Sequence, residues 1–305
     1  MLYGKTIHHK KKRSYIKKLK YIKTKTNKHK YTKTKTQKHK RKMNQHNGGT
    51  ILGQGTHGTI IIDPLDPSKV IKMFVKMSNC AKLQDEYVTQ NTLSNEFEAN
   101  NLNIVVPKPC CYSATRDHCK YTMTRIYPFP KYNYYLLLNF AEPNLDKKFN
   151  HSTVGYEVGI VPLIDKYKIN VHDTVFVIGK MFSYLHYVRM MDGYDCEAII
   201  GSSPEDQTAP TLFLIDFDKI QTFEFKLGIT VYRKIDEQTI DEKILSNAPK
   251  FARFLFGAFI SMSLLPTNYE LKQIFIDGYR TYLPNKELQK DIFERVVREI
   301  EDYQI

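Results

Sequence analysis

The sequence predicts an α+β protein with two lobes, a small β-rich N-lobe and a larger helical C-lobe, behind a disordered basic tail. Three observations predict it. Short apolar stretches separated by turn formers fill residues 50–126, the mark of strands and hairpins. Helical periodicity dominates from Val171 onward, so strands come first and helices later, the order of a segregated α+β fold. In front of both, residues 1–47 hold 18 Lys and Arg and no acid. These breaks give the boundaries: 1–47 for the tail, 48–128 for the N-lobe and 129–305 for the C-lobe.

The tail is repetitive. "KTKTNKHK" (Lys23 to Lys30) returns as "KTKTQKHK" (Lys33 to Lys40). With almost no apolar residues it cannot bury enough surface to offset its ordering entropy, and it is expected to be disordered alone. Three readings of it stand. It is a solubilising tail, a non-specific binder of nucleic acid or an acidic partner through its charges, or a nuclear-import segment through "KKKR" and "KHKRK". Two arginines and no amphipathic face set it apart from a mitochondrial presequence. The other 28 Lys and Arg face 32 Asp and Glu, so the body carries a net charge of −4. The whole-chain excess of +14 therefore says nothing of the body's partners.

The elements follow in order. After Gly48-Gly49, strands are expected near Thr50–Leu52, Thr59–Ile62 and Val70–Phe74, with the turn-forming "DPLDPS" between the last two. "KLQDEYVTQNTLSNEFEA" (Lys82 to Ala99) reads as a helix. Two strands around "CCYSA" and "KYTMTRI" are joined by the polar "TRDH". Helical patterns cover Val171–Met190, Ala248–Ser263, Tyr269–Tyr282 and Leu288–Tyr303. The exception is "TLFLIDFDKI" (Thr211 to Ile220), an apolar run broken by two aspartates. No apolar run spans a bilayer: the best, Phe251 to Leu265, carries Arg253 and reads as a buried helix. Five cysteines without regular spacing point to a reducing, intracellular compartment, cytoplasm or nucleus.

The chemistry-bearing residues begin with "LGQGTHGTI", where Gly53, Gly55 and Gly58 lie between two strands. A strand–helix junction would be needed for a dinucleotide site; a glycine hairpin instead approaches phosphates closely because no Cβ intervenes. An ordinary hairpin carries such glycines too. Lys72 follows in the apolar "KVIKMF". A lysine in a buried strand needs a partner, and Glu86 on the next helix is the candidate, with Glu96 and Glu98 as alternatives. Asp216 ends the strand-like run "LIDFDKI", where a carboxylate can reach a cleft and share Mg²⁺ with phosphates. Cys110, Cys111, His118 and Cys119 lack the paired spacing of structural zinc sites and read as hairpin residues. His186 reads as a packed histidine, and Tyr132, Tyr134 and Tyr135 as packing near a hinge.

Taken in order, "LGQGTHGTI", "VIKMF", Glu86, "YTMTRI" and "LIDFDKI" resemble the protein-kinase-like superfamily over roughly residues 50–220. The resemblance implies a phosphate loop at Gly53, Gly55 and Gly58, a lysine–glutamate pair at Lys72 and Glu86, an interlobe hinge and a metal-binding Asp216, with ATP and Mg²⁺ as ligands. "TRIYPFP" and "LHYVRMMDGYDCEAIIGS" are similar to segments of a kinase-like domain of unknown function in fungal proteins, some of them labelled zinc-finger proteins. Asp192, Asp195, Glu197 and Gly201 match that second segment. The basic tail ending in Gly-Gly resembles kinase-like proteins of large DNA viruses, which would place the chain in an infected cell or a virion.

The sequence departs from ordinary protein kinases. Glu197 stands two residues after Asp195 where those have lysine, and Ile200 stands five after, where those have a metal-binding asparagine. Asp218 replaces the glycine after Asp216-Phe217, and no Ala-Pro-Glu follows. Two function classes are open. In an ATP-dependent phosphotransferase, Asp195 or Asp192 accepts a hydroxyl proton, and Asp216 holds the metal with Asp218 or Glu197. In a pseudokinase-type binding protein, Asp195 and Glu197 anchor a loop.

Overall fold

The structure is a computed structural model that describes residues 50–54, 58–74, 79–148, 155–226, 229–233 and 248–304. All of these belong to one folded unit, Gly49–Ile305. The expected tail, residues 1–47, and Gly55 of the glycine triad lie outside the described residues.

The chain begins as an antiparallel meander. β1 (Ile51–Gln54) pairs with β2 (Thr59–Ile62), and β2 with β3 (Lys69–Phe74). The turn between β2 and β3 is made by its aspartates. Asp63 Oδ1 accepts from Leu65 N at 2.9 Å, and Asp66 Oδ1 accepts from Ser68 N at 3.0 Å. Such side chains mimic a backbone turn, which is why "DPLDPS" reads as a break. After helix α1 (Cys80–Ala99), the hairpin β4 (Pro109–Ala114) and β5 (Cys119–Thr124) completes a five-stranded sheet ordered β1-β2-β3-β5-β4.

The later part is less purely helical than the sequence reading expects. A second five-stranded sheet is formed by β6 (Tyr135–Leu138), β7 (Asp146–Lys148), β8 (Gly155–Val158), β9 (Glu197–Gly201) and β10 (Thr211–Ile215). Its order is β10-β9-β6-β8-β7, with β6 and β8 parallel. A short ribbon follows, β11 (Thr222–Lys226) with β12 (Ile229–Arg233). The helices are α2 (Ile160–Asp165), α3 (Val171–Ser183), α4 (Ala248–Ser261), α5 (Tyr269–Tyr279) and α6 (Glu287–Glu301). With α1 they make six among the described residues, and the protein is α+β. None is long and apolar enough to cross a membrane.

Helix α3 starts at Asn170, whose side chain accepts from Asp173 N, and α5 starts in the same way at Asn268. The two helices touch backbone to backbone. A Cβ on Gly179 would lie 2.2 Å from the Phe275 carbonyl, and one on Gly278 would lie 2.2 Å from that of Phe176. No other residue type fits at this crossing. The expected long helix over 171–190 changes its pitch after Ser183: Tyr184–Val188 form a π turn that leads into the 190–196 loop.

Two apolar cores result. The large one gathers α3 to α6 beneath the second sheet, with Phe182, Phe259, Phe275, Tyr279 and Phe293 fully buried. The small one is Phe74, Cys80, Leu83, Cys119 and Tyr121, between α1 and the first sheet. A disulfide joins Cys80 to Cys119, a pairing that the sequence reading did not include. Spacing could not signal it, because the two lie 39 residues apart and meet only through the packing of α1 on β5.

Candidate functional site

A cavity of about 320 Å³ is walled by both sheets. Each polar group in it is placed by the element that carries it. In the antiparallel ladder Lys72 pairs with Ile60 on one side and Tyr121 on the other, in the interior of the first sheet. Its side chain reaches into the cavity and is only 14% exposed. Glu86 lies on the inward face of α1 with Leu83 and Gln90 and is 2% exposed. Their ion pair spans 2.5 Å. Asp216, one residue past β10, places Oδ1 at 3.5 Å from the same Nζ.

The electrostatics follow from this enclosure. Burial alone would lower the Lys72 pKa, but the carboxylates of Glu86 and Asp216 outweigh it and hold the ammonium charged. Burial raises the Glu86 carboxyl against the pull of Lys72. The second carboxylate oxygen of Glu86, Oε2, is buried and has no hydrogen-bond partner among the described residues. Glu96 and Glu98, the alternatives from sequence, do not take this role: Glu96 pairs instead with Arg189 at 3.2 Å, and Glu98 is exposed.

Glu197 reaches the same cavity by strand register. It is the cross-strand partner of Ile215, which brings it beside Asp216. Solvent reaches Glu197 through the open cavity, yet protein surrounds it. Burial, then the negative charges of Asp216 and Asp195, push its carboxyl up to about 7. Asp218 also lines the cavity, while Phe217 between the two aspartates turns into the core. Ile200 is buried within β9, paired with Leu212 and Leu136, and brings no oxygen to the site.

The two described glycines differ. A Cβ on Gly53 would meet nothing within 4 Å, so the backbone there faces open space. A Cβ on Gly58 would lie 2.5 Å from the Phe74 ring and 2.7 Å from the Met73 carbonyl. Gly58 is thus required by packing on β3, whatever the cavity holds. On the far wall, Thr124, Ile126 and Tyr135 border the cavity, and the Tyr135 hydroxyl donates to the Ile126 carbonyl at 2.9 Å. Gly201 lets this linker pass, since a Cβ there would lie 2.6 Å from both Ile126 Cγ2 and Tyr127 O. Tyr132 and Tyr134 pack against Tyr167, away from the cavity lining.

Asp192 and Asp195 are not among the residues that line this cavity. Asp192 is 1% exposed, and its Oδ1 accepts from Tyr194 N at 3.1 Å and from Gln221 N at 2.9 Å. It ties the 192–196 loop to the start of β11. Asp195 pairs with Lys219 and lines a second, smaller cavity of about 220 Å³ with Asn139 and Glu157. Glu197 borders both cavities. His186 is fully buried between Tyr279 Oη at 2.7 Å and the Asp192 carbonyl at 3.1 Å, and burial lowers its pKa to about 4. It is a packed, neutral histidine.

Several site residues escaped the sequence reading. Gln90 lines the cavity, accepts from the Tyr121 hydroxyl at 2.8 Å and donates to the Pro107 carbonyl at 2.6 Å. Its place four residues after Glu86, on the same helix face, was a usable signal. Lys219, directly after the two aspartates, was another. Tyr121 and Asn139 carry none, since a lone polar group in a strand reads equally well as packing.

Among the described residues, no group of three or more His, Cys, Asp or Glu stands close enough to hold a metal ion. This applies both to Glu197, Asp216 and Asp218 and to the cysteine–histidine set near β4. In that set Cys119 is in the disulfide, Cys110 Sγ contacts Thr122 Oγ1, and His118 Nδ1 contacts Thr115 Oγ1. The chain matches no protein-family model and no curated protein sequence.

Proposed function

We propose that this chain is a divergent kinase-like nucleotide-binding protein, with the first sheet and α1 as a small N-lobe and the remainder as a larger C-lobe. Its cavity takes ATP with Mg²⁺, and its chemistry is phosphoryl transfer to an acceptor. One observation carries the reading: a buried lysine is held between the carboxylates of Glu86 and Asp216, in a mostly apolar cavity that Gly53 and Gly58 also line. A buried cation is costly unless it is paired; Glu86 and Asp216 supply that pairing. An ammonium with three donors can still take a phosphate oxygen, to which Gly53 leaves its backbone open.

The residues fit the group. Mg²⁺ takes one or two carboxylates together with phosphates rather than an all-protein cage, so Asp216 and Asp218 suffice without a third acid. Bound ATP would supply the phosphoryl group and Mg²⁺ the neutralisation of its charge. Lys72 would orient the phosphates, Glu86 would fix Lys72, and Asp195 would accept the acceptor's proton once released from Lys219. Ile60, Val70, Met123 and Ile199 would sandwich the base and exclude water.

The second reading is a nucleotide-binding protein without turnover. It is favoured by the Lys219–Asp195 pair, which occupies the proposed base. Nucleotide binding followed by thermal shift and calorimetry, with Mg²⁺ and with EDTA, tests the first part. A turnover assay on wild type and Asp216→Asn then separates the two readings. Turnover lost in Asp216→Asn supports the transferase, and tight binding with no turnover in wild type supports the second. No nucleotide binding under any condition refutes both.

A further inference from the structure

We propose that the Cys80–Cys119 disulfide sets the position of Glu86 on Lys72, so that the cavity is assembled in the oxidised protein and loosened in the reduced one. The consequence for nucleotide rests on the function proposed above; the consequence for Lys72 does not.

The N-terminal half of helix α1 rests on the small core. Its inward face is Cys80, Leu83, Glu86, Thr89, Gln90, Leu93, Ser94 and Phe97. Leu93 and Phe97 enter the large core, and before them Leu83 and the Cys80 side chain enter the small one. Tyr87 packs beside these on Tyr112 and Tyr121, and the Tyr112 hydroxyl donates to the Cys80 carbonyl at 3.1 Å.

Two fastenings bracket Glu86. Six residues before it, about 9 Å along the helix, Cys80 is bonded to Cys119. Four residues after it, Gln90 accepts from Tyr121. Both anchors are on β5, where Cys119 pairs with Phe74 and Tyr121 pairs with Lys72 itself. The strand that pairs with Lys72 and the helix that supplies its carboxylate are thus joined through the disulfide and this hydrogen bond, with the Tyr87–Tyr121 ring contact between them.

The bond is reversible by exchange. Formation with a small-molecule disulfide joins Sγ of Cys80 to Sγ of Cys119 and breaks the small disulfide. It releases two small thiols, which carry away both electrons and both protons. In a reducing compartment the equilibrium runs the other way. Both cysteines are buried, so reduction proceeds through opening of the first turn of α1.

The test uses the full chain, oxidised and after reduction with a phosphine, together with Cys80→Ser and Cys119→Ala. Alkylation and peptide mass spectrometry establish the state of each thiol. Two readouts follow: acylation of Lys72 by an N-hydroxysuccinimide ester, and amide hydrogen exchange over residues 80–90. Reduction should speed both while leaving α5 and α6 protected. If Glu86 occupies Lys72 in only a tenth of reduced molecules, ATP–Mg²⁺ binds about tenfold more weakly. Equal Lys72 acylation and equal exchange in the two states overturn the proposal, as does finding Cys80 and Cys119 free in protein kept under air with a small disulfide. If a variant fails to fold, the reduced wild type still gives the answer. Failure of the oxidised wild type to bind ATP sinks the proposed function and leaves the Lys72 readout to decide this inference.

Discussion

Replacing Glu86 by glutamine removes one negative charge from the interior and almost no volume. Glu86 and Lys72 are 2% and 14% exposed and 2.5 Å apart, so the charge lost is a buried one. Removing one partner of a buried pair costs about 3–5 kcal/mol, because the other charge is left uncompensated. Two features argue for the low end. Asp216 still stands 3.5 Å from Lys72 Nζ, and its 40% exposure lets solvent screen the remainder. The glutamine oxygen also still accepts a hydrogen bond. A loss of about 3 kcal/mol lowers the melting temperature by roughly 6–12 °C for a domain of this size. The double variant Glu86→Leu with Lys72→Met replaces both charges by apolar groups of similar size, which is close to neutral or stabilising. Thermal and guanidinium unfolding of the wild type, the single variant and the double variant, in EDTA and without nucleotide, measure this directly. A single variant within 1 kcal/mol of wild type, or a double variant no more stable than the single, would refute the buried-pair reasoning.

Three further outcomes follow from the geometry. Asp192→Asn keeps the oxygen that accepts from Tyr194 N and Gln221 N and should cost less than Asp192→Ala, which strands two donors at about 1–3 kcal/mol for each that stays buried; if Asp192→Asn abolishes turnover at unchanged stability, the anchor assignment is wrong. Glu197 has a folded pKa of about 7 against 4.5 unfolded, so the neutral form is favoured on folding and stability is lost as pH rises through 7. Glu197→Gln should therefore gain melting temperature over wild type at pH 8 but not at pH 4 in EDTA, and an equal difference at both pH values contradicts this. Gly201→Ala should destabilise by about 1–3 kcal/mol, towards the upper end because Tyr127 O is fixed by the Tyr127–Ser202 bonds of 2.9 and 3.0 Å; unfolding midpoints decide it.

The first sheet was readable because its strands are bounded by strong punctuation. Aspartates and prolines close β2, and "TRDH" closes the β4–β5 hairpin. The last three helices were readable from their apolar period, as in α6, where Ile292, Phe293, Val296, Val297 and Ile300 are all buried. The second sheet was not, apart from β10, which reads as a strand-like apolar run ended by Asp216. Its strands are three to five residues long, and β7, "DKK", has no buried residue. Its central pairing, β6 with β8, is parallel and non-sequential, so no hairpin signal announces it. β9 hid inside a stretch whose acids drew attention as chemistry, although "AIIG" in that stretch is the buried part of the strand. Lys72, Glu86 and Asp216 were readable as a trio only through order along the chain, since no local pattern says that α1 and β10 face the same lysine.

The placement of Asp195 bears most on what the cavity can do. The sequence places Asp195, the candidate proton acceptor, two residues before Glu197, a candidate metal ligand, and the backbone turns them apart. Asp195 sits at φ 65°, in the left-handed region, before β9 begins, so its side chain turns toward Lys219 and the smaller cavity. Glu197, on the strand proper, turns toward Asp216. Asp216 has φ 64° as well, and it is this turn that ends β10 and aims the carboxylate at Lys72. Left-handed backbone is tolerated by aspartate but costs energy in most residues, and two such turns face each other across one hairpin. Both are therefore held by the surrounding fold, Asp195 through the loop that Asp192 anchors and Asp216 through the burial of Phe217. An acceptor that enters the smaller cavity would have to compete with Lys219 for Asp195. Under the proposed phosphoryl transfer, that lysine, 46% exposed, would have to release Asp195 before the carboxylate could take a proton.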